Sequence, residues 1–289
     1  MQLKDCTVSV FGLGLLGGSL AWRLSLSGAV KQAAGWSRSP ETVKEACDKG
    51  VITRPCETAE ECASLGDILI LAVPIRSMEE LSRRVLPYAK KSVRAVFDLG
   101  SVKAGIGRKL SNLWGPPYAG FHPMAGKETG GLENADPRLF EGAVCALVPF
   151  ENTSPETLSL AGELAMALGG WPEEIGASAH DSAAAAISHL PLLAASALAL
   201  VAAQEGEGNP NVALLAAGGF RDTTRVAAGP PWLGADMVTE NRTEIKRLAA
   251  LFTETLLAMA DAPAPELEAM LKAAAEARRV VAGGAERRG

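Results

Sequence analysis

Residues 121–131 read Phe-His-Pro-Met-Ala-Gly-Lys-Glu-Thr-Gly-Gly. They hold His122, one of only three histidines in the chain, with Glu128 close behind it. A histidine in a Gly/Pro loop titrates near working pH and can serve as acid or base, although a lone loop histidine is more often structural or solvated. A second polar island runs Gly-Gly-Phe-Arg-Asp-Thr-Thr-Arg from Gly218. Arg221 and Asp222 read as a structural ion pair, which leaves Arg225 to hold a carboxylate. Ser101 and Lys103 follow Asp98, where they either take part in chemistry or cap and charge the next helix. His180 beside Asp181 reads as an N-terminal capping arrangement. His189, with Ser188, is polar within an apolar helix, so it is either a satisfied core histidine or faces a ligand.

These groups need a scaffold, and the N-terminus supplies its first part. Thr7–Phe11 is β-rich and runs into Gly12-Leu13-Gly14-Leu15-Leu16-Gly17, after which apolar residues recur at helical spacing. This is GxGxxG between a strand and a helix. Gly12 permits a tight turn, Gly14 lets a pyrophosphate approach the backbone, and Gly17 lets helix and strand pack closely. The turn, with Leu15 and Leu16 at the helix start, places phosphates on the helix N-terminus. The second strand is expected at Gln32–Trp36. At its end, where a ribose-binding acid would select NAD, stand Ser37-Arg38-Ser39. Two hydroxyls and a guanidinium suit a 2′-phosphate, so NADP is expected over NAD. Read plainly, Arg38 is a solvated loop charge.

Helix and strand patterns then alternate. Helices are expected over residues 41–49, 78–86 and 155–168. Strands are expected near Val51 and over 67–73, 93–99, 143–148 and 171–175. Alternation of this kind means right-handed crossovers and a parallel sheet. Ligands bind at the carboxyl ends of such strands, which brings Val73 and Pro74, Ser101 and the His122 loop to one crevice. From residue 177 the chain turns Ala/Leu-rich and helical. Residues 183–203 are long and apolar enough to suggest a membrane span. The interior Ser188, His189, Pro191 and Ser196, and the missing basic flank, favour a core helix packed against a partner subunit. An amphipathic helix over 236–259, another over 265–281 and a frayed tail over 282–289 complete the pattern. The fold class is α/β, with a Rossmann-type dinucleotide-binding domain over 1–176 and an all-helical substrate and dimerisation domain over 177–289.

Composition bounds the function. The chain has 289 residues, 48% hydrophobic and 21% charged, with net charge −5. That is a globular composition without the basic stripe of a nucleic-acid surface. No signal peptide is expected before the first strand. The five cysteines show no CxxC pair or metal-ligand spacing, so a reducing cytoplasm is expected and no metal site.

Taken together the motifs resemble the prephenate/arogenate dehydrogenase family of tyrosine biosynthesis. The resemblance rests on GxGxxGxS over 12–19, DxxSVK over 98–103, HPMAGxE over 122–128, Leu139-Phe140-x-Gly142, SHLP over 188–191 and GFRDTTRVA over 219–227. It is nearest to the short, single-function form without a fused mutase or regulatory domain. It implies oxidative decarboxylation of arogenate or prephenate with hydride transfer to a nicotinamide. His122 would take the ring hydroxyl proton, and Ser101 would orient that imidazole and touch cofactor or substrate. Arg225 would pair with the ring carboxylate, Glu128 would control access, and His189 would line the substrate pocket. A homodimer through the helical half is implied. Two departures, Leu192 where many prephenate-using members carry a histidine and Ser37 in place of the ribose-binding acid, point to NADP and arogenate. The alternatives are another NADP-dependent β-hydroxyacid or imine reductase on the same plan, or a catalytically silent cofactor-binding protein.

Overall fold

The fold is known from a computed structural model, which describes residues 2–286. The first strand β1 (Thr7–Phe11) is buried along its whole length. Helix α1 (Leu15–Ser27) follows the glycine turn directly. Then come β2 (Gln32–Trp36), α2 (Pro40–Asp48), β3 (Arg54–Pro55), α3 (Ala59–Leu65), β4 (Ile68–Leu71) and α4 (Ile75–Val85). After these stand β5 (Ala95–Asp98), α5 (Ala104–Trp114), β6 (Tyr118–Pro123), β7 (Val144–Val148), α6 (Pro155–Ala167) and β8 (Trp171–Glu174). The eight strands form one sheet in the order β3-β2-β1-β4-β5-β6-β7-β8. Strand order reverses between β1 and β4, and a crevice opens there at the carboxyl ends of the strands.

Burial explains the sequence pattern. Ile68 and Ile70 join the core on one face of the sheet and Leu69 and Leu71 the core on the other. Such a strand is covered on both faces, so its apolar run is unbroken. Helices α2, α3 and α6 start where Ser39, Thr58 and Ser154 accept a hydrogen bond from the backbone three residues on.

Three expectations need correction. The sheet is mixed: β6 and β7 pair antiparallel, with Phe121 opposite Leu147 and His122 opposite Ala146. No α-helix lies between these two strands, so the chain cannot cross over to a parallel neighbour. His122 accordingly sits within strand β6 and not in a loop. The short strand expected near Val51 lies at Arg54–Pro55, because the N–H groups of Val51 and Ile52 turn back to the Ala46 carbonyl.

Beyond the sheet the chain is helical: α7 (Ala177–Ala184), a π turn (Ala185–His189), α8 (Leu190–Gly206), α9 (Asn211–Leu215), α10 (Gly218–Thr224), α11 (Pro231–Glu240), α12 (Arg242–Asp261) and α13 (Ala264–Glu286). The π turn is closed by the Leu190 N–H donating to the Ala185 carbonyl, five residues back. The helix expected over 236–259 is broken at Asn241, and the tail expected to fray is helical through Glu286; residues 287–289 lie outside the described range. Ala177–Gly206 is long and apolar enough to cross a membrane. It is not a core helix of the single chain: Leu200 is 72% and Val201 63% exposed. Its polar beginning, by contrast, is buried against the sheet half, as the site shows.

Candidate active site

Elementary packing constraints build the floor of the crevice. Gly12 has φ of +96°, and an added Cβ there would lie 2.4 Å from the Ala72 carbonyl oxygen. A Cβ on Gly17 would lie 2.0 Å from the Gly12 carbonyl oxygen, so α1 can meet the turn only through glycine. Gly14 differs from both. Its backbone is extended, and a Cβ would meet nothing within 4 Å, because Gly14 borders a cleft of about 1360 Å³. An open cradle over a helix N-terminus fits a dinucleotide pyrophosphate. Leu15, Leu16, Val73 and Pro74 line the same cleft, as do Ser37 and Arg38 at the end of β2. Among the described residues no ion pair involves Arg38.

Ser101, His122, Glu128, Leu192 and Arg225 line the cleft as well, so the sheet half and the helical half both contribute to it. Gly17 serves packing and does not line it. Arg225 is ion-paired with Glu128, whereas the expected Arg221–Asp222 pair is not formed; the Arg221 guanidinium donates to the Ala216 carbonyl at 3.3 Å. The Ser101 hydroxyl is buried and makes no hydrogen bond, with His122 or with any other described group.

His180, expected to cap its own helix, instead holds His122. His122 Nδ1 lies 2.8 Å from His180 Nε2, and His180 Nδ1 lies 2.8 Å from Asp181 Oδ1. The two rings meet edge to face at 5.1 Å between centroids. His180 and Asp181 therefore do not cap their own helix; they lie inside α7, whose N-cap Gly176 offers no side chain. Asp181 instead takes the Lys103 and Ala104 N–H groups, each at 2.8 Å, and so caps α5 across the domain junction. The only sequence signal for this was an adjacent His-Asp pair in an otherwise apolar stretch.

Asn241, where the expected long helix breaks, ties the assembly together. Its amide donates to the Asp181 carbonyl at 2.7 Å and stands 3.3 Å from His189 Nδ1. His189 is fully buried, its Nε2 has no partner, and it does not line the cleft. Burial pushes its pKa down to about 4. All three histidines of the chain thus gather behind one cleft.

Beneath them Lys103 settles the choice left open for it. It is the N-cap residue of α5, and its fully buried ammonium donates to Asp98 Oδ1 at 2.5 Å and to the Asp98 carbonyl at 3.0 Å. It also reaches the carbonyl of Phe121, the residue before His122, at 3.4 Å. Tyr118 donates to the other Asp98 oxygen at 2.6 Å. Desolvation first, and then the Lys103 charge and the two other histidines, hold the His122 pKa well below its usual value. These effects favour the neutral imidazole of His122, the form that can accept a proton.

The family model for the prephenate dehydrogenase nucleotide-binding domain matches residues 20–171, and that for the prephenate dehydrogenase dimerization domain matches 176–272. A prephenate dehydrogenase of Bacillus subtilis is 29% identical over 84% of this chain, which spans 66% of that relative's length. A cyclohexadienyl dehydrogenase of Zymomonas mobilis is 28% identical over 81% of this chain and 80% of its own. Among solved structures, the prephenate dehydrogenase of A. aeolicus in complex with hydroxyphenyl propionate and NAD+ superposes with a TM-score of 0.87 at 28% identity, over 97% of this chain and 96% of that one. Synechocystis arogenate dehydrogenase does so with a TM-score of 0.81 at 30% identity, over 95% and 99%. The chain belongs to the prephenate dehydrogenase family.

Proposed function

We propose that this chain carries out the oxidative decarboxylation of arogenate or prephenate, with NADP as hydride acceptor, as a soluble cytosolic homodimer. The observation that carries the reading is the placement of a hydrogen-bonded His122 on the same cleft as the glycine cradle and Arg225. The nucleotide-binding half, residues 1–176, would hold the cofactor on its glycine turn, and the helical half, 177–289, would complete the substrate side of the cleft with Leu192 and Arg225. When bound, the nicotinamide supplies a hydride acceptor. The protein's own groups do the rest. His122 Nε2 takes the ring hydroxyl proton while hydride leaves the same carbon, which gives a dienone. Arg225 holds the ring carboxylate, in place of or beside Glu128, until it departs as CO2 and the ring becomes aromatic. Ser101 borders the same cleft, and its buried, unbonded hydroxyl would need only a rotation to bond substrate or cofactor.

Ser37 and Arg38 at the ribose end support NADP, while the A. aeolicus relative was crystallised with NAD+. Leu192 lines the cleft where no histidine is available for a keto acid side chain, which supports arogenate. The relative of that name, from Synechocystis, is the arogenate dehydrogenase. Exposed apolar residues on α8, α12 and α13, among them Leu200, Leu257 and Val281, offer the dimer its surface. Initial rates with arogenate and with prephenate, each against NADP and NAD, test the proposal. Arogenate with NADP should dominate; turnover with neither substrate would overturn the reading.

A further inference from the structure

The reaction just described, on which this inference rests, only borrows a proton. The O–H bond of the substrate breaks toward His122 Nε2, and the C–H pair leaves as hydride while C=O forms. The C–C bond to the ring carboxylate then breaks, and its electron pair flows through the ring to oxygen as CO2 departs. The resulting phenolate must regain a proton. Atoms and charge balance with no net proton released, so the enzyme must hold one between the two steps.

His122 is poorly placed to hold it alone. A cation there would face the buried Lys103 ammonium, which reaches the carbonyl of the preceding residue. The hydrogen-bond chain behind it has a definite polarity. Asp181 accepts two peptide N–H groups, so it acts as acceptor toward His180 as well. His180 then carries its hydrogen on Nδ1 and accepts at Nε2. His122 must in turn donate from Nδ1, which leaves the Nε2 lone pair free for the substrate.

We propose that His180, backed by Asp181, is a positioning residue that fixes this tautomer of His122 and stores the borrowed proton. When Nε2 of His122 takes the hydroxyl proton, its Nδ1 proton passes over 2.8 Å to His180 Nε2. The positive charge then rests 2.8 Å from the Asp181 carboxylate. The reverse shift returns a proton to the phenolate. His122 on β6, Asp181 on its own helix and His189 in the π turn bear directly on His180, while Lys103 at the start of α5 and Glu244 on α12 bear on its partner Asp181.

The test is His180→Gln, whose amide can accept from His122 and donate to Asp181 but cannot take up a proton. Its kcat should fall about tenfold to a hundredfold, with KM and cofactor affinity unchanged. The acid limb of kcat should move to lower pH, because His122 would then titrate without its store. A merely structural role would alter melting or KM and leave that limb in place. A kcat within threefold of the parent and an unmoved limb would overturn the proposal. Should the variant not fold, single-turnover rates of the parent in H2O/D2O mixtures decide: two protons in flight give a curved plot, and a straight line overturns the store. His122→Asn separates the two readings. If that variant turns over normally, the base assignment itself fails; if it is dead while His180→Gln is normal, only the store fails.

Discussion

Gly14→Ala should separate folding from cofactor binding at a single methyl group. The backbone at Gly14 has φ of −85° and ψ of −156°, which alanine adopts, and the new Cβ meets nothing within 4 Å. Replacing glycine where the conformation is compatible stabilises by about 0.4–1 kcal/mol through the unfolded chain. Alanine is a poorer N-cap than glycine by roughly half a kcal/mol, so the two effects nearly cancel. The melting temperature without cofactor should stay within about 4 °C of the parent. Cofactor binding should not survive so well. The methyl stands over the N-terminus of α1, where the proposed cofactor's pyrophosphate would lie. Losing two charge-assisted hydrogen bonds at about 1.5–3 kcal/mol each would weaken binding by about a hundredfold or more. Scanning fluorimetry and calorimetric titration with NADP give the two numbers. Gly17→Ala is the control, since its Cβ would sit 2.0 Å from the Gly12 carbonyl oxygen and melting should drop. A Gly14→Ala protein that binds NADP with parental affinity would refute the cradle.

Other outcomes follow from the same geometry. Because the His189 pKa is depressed to about 4 in the fold against about 6.5 when unfolded, its contribution is intact above pH 6.5. As pH falls toward 4, stability should drop by roughly 3 kcal/mol, and His189→Gln should flatten that part of a urea-denaturation series against pH. Since the His122 pKa is also lowered, the acid limb of kcat/KM should lie below pH 6.5; a limb at or above 6.5 would show that burial and Lys103 do not act on it. Lys103→Met leaves the fully buried Asp98 carboxylate uncompensated and should cost about 3–5 kcal/mol in denaturant unfolding. Adding Asp98→Asn should recover part of it, and additive losses would deny the coupling. Ser37→Asp should shift the kcat/KM ratio from NADP toward NAD, and an unmoved ratio would discredit the 2′-phosphate reading.

Much of this molecule was legible in its sequence, and the gaps have physical causes. β1 and β2 fall where their apolar runs predicted, because strands covered on both faces leave a continuous signature. The edge strand β3 misled: Val51 and Ile52 are buried like strand residues, yet their hydrogen bonds belong to a turn. β6 was hidden by Gly120 and Pro123, residues that ordinarily argue against a strand. Gly12, Gly14, Ser101, His122 and Arg225, singled out for what their residue types can do locally, line one cleft. His180, Asp181 and Asn241 could not be singled out so, since their roles depend on contacts between residues 52 to 78 positions apart. A pair that looked like a cap for its own helix caps another, and no local pattern distinguishes the two.

The π turn at Ala185–His189 fixes how long the first helical segment has to be. Such a turn accommodates one residue more than an α-helix would over the same span. Upstream, α7 aims His180 and Asp181 at the sheet half; downstream, Pro191, Leu192 and Ser196 line the cleft. Without the extra residue every side chain past the turn would rotate by about 100° relative to those before it. One helix can therefore face two clients only through this phase offset. The segment that looks most repetitive, a run of alanines, is consequently the one least free to change its count. Substitutions among Ala183, Ala184 and Ala185 touch volume alone, whereas a single deletion there would turn Pro191, Leu192 and Ser196 away from the cleft they share with His122.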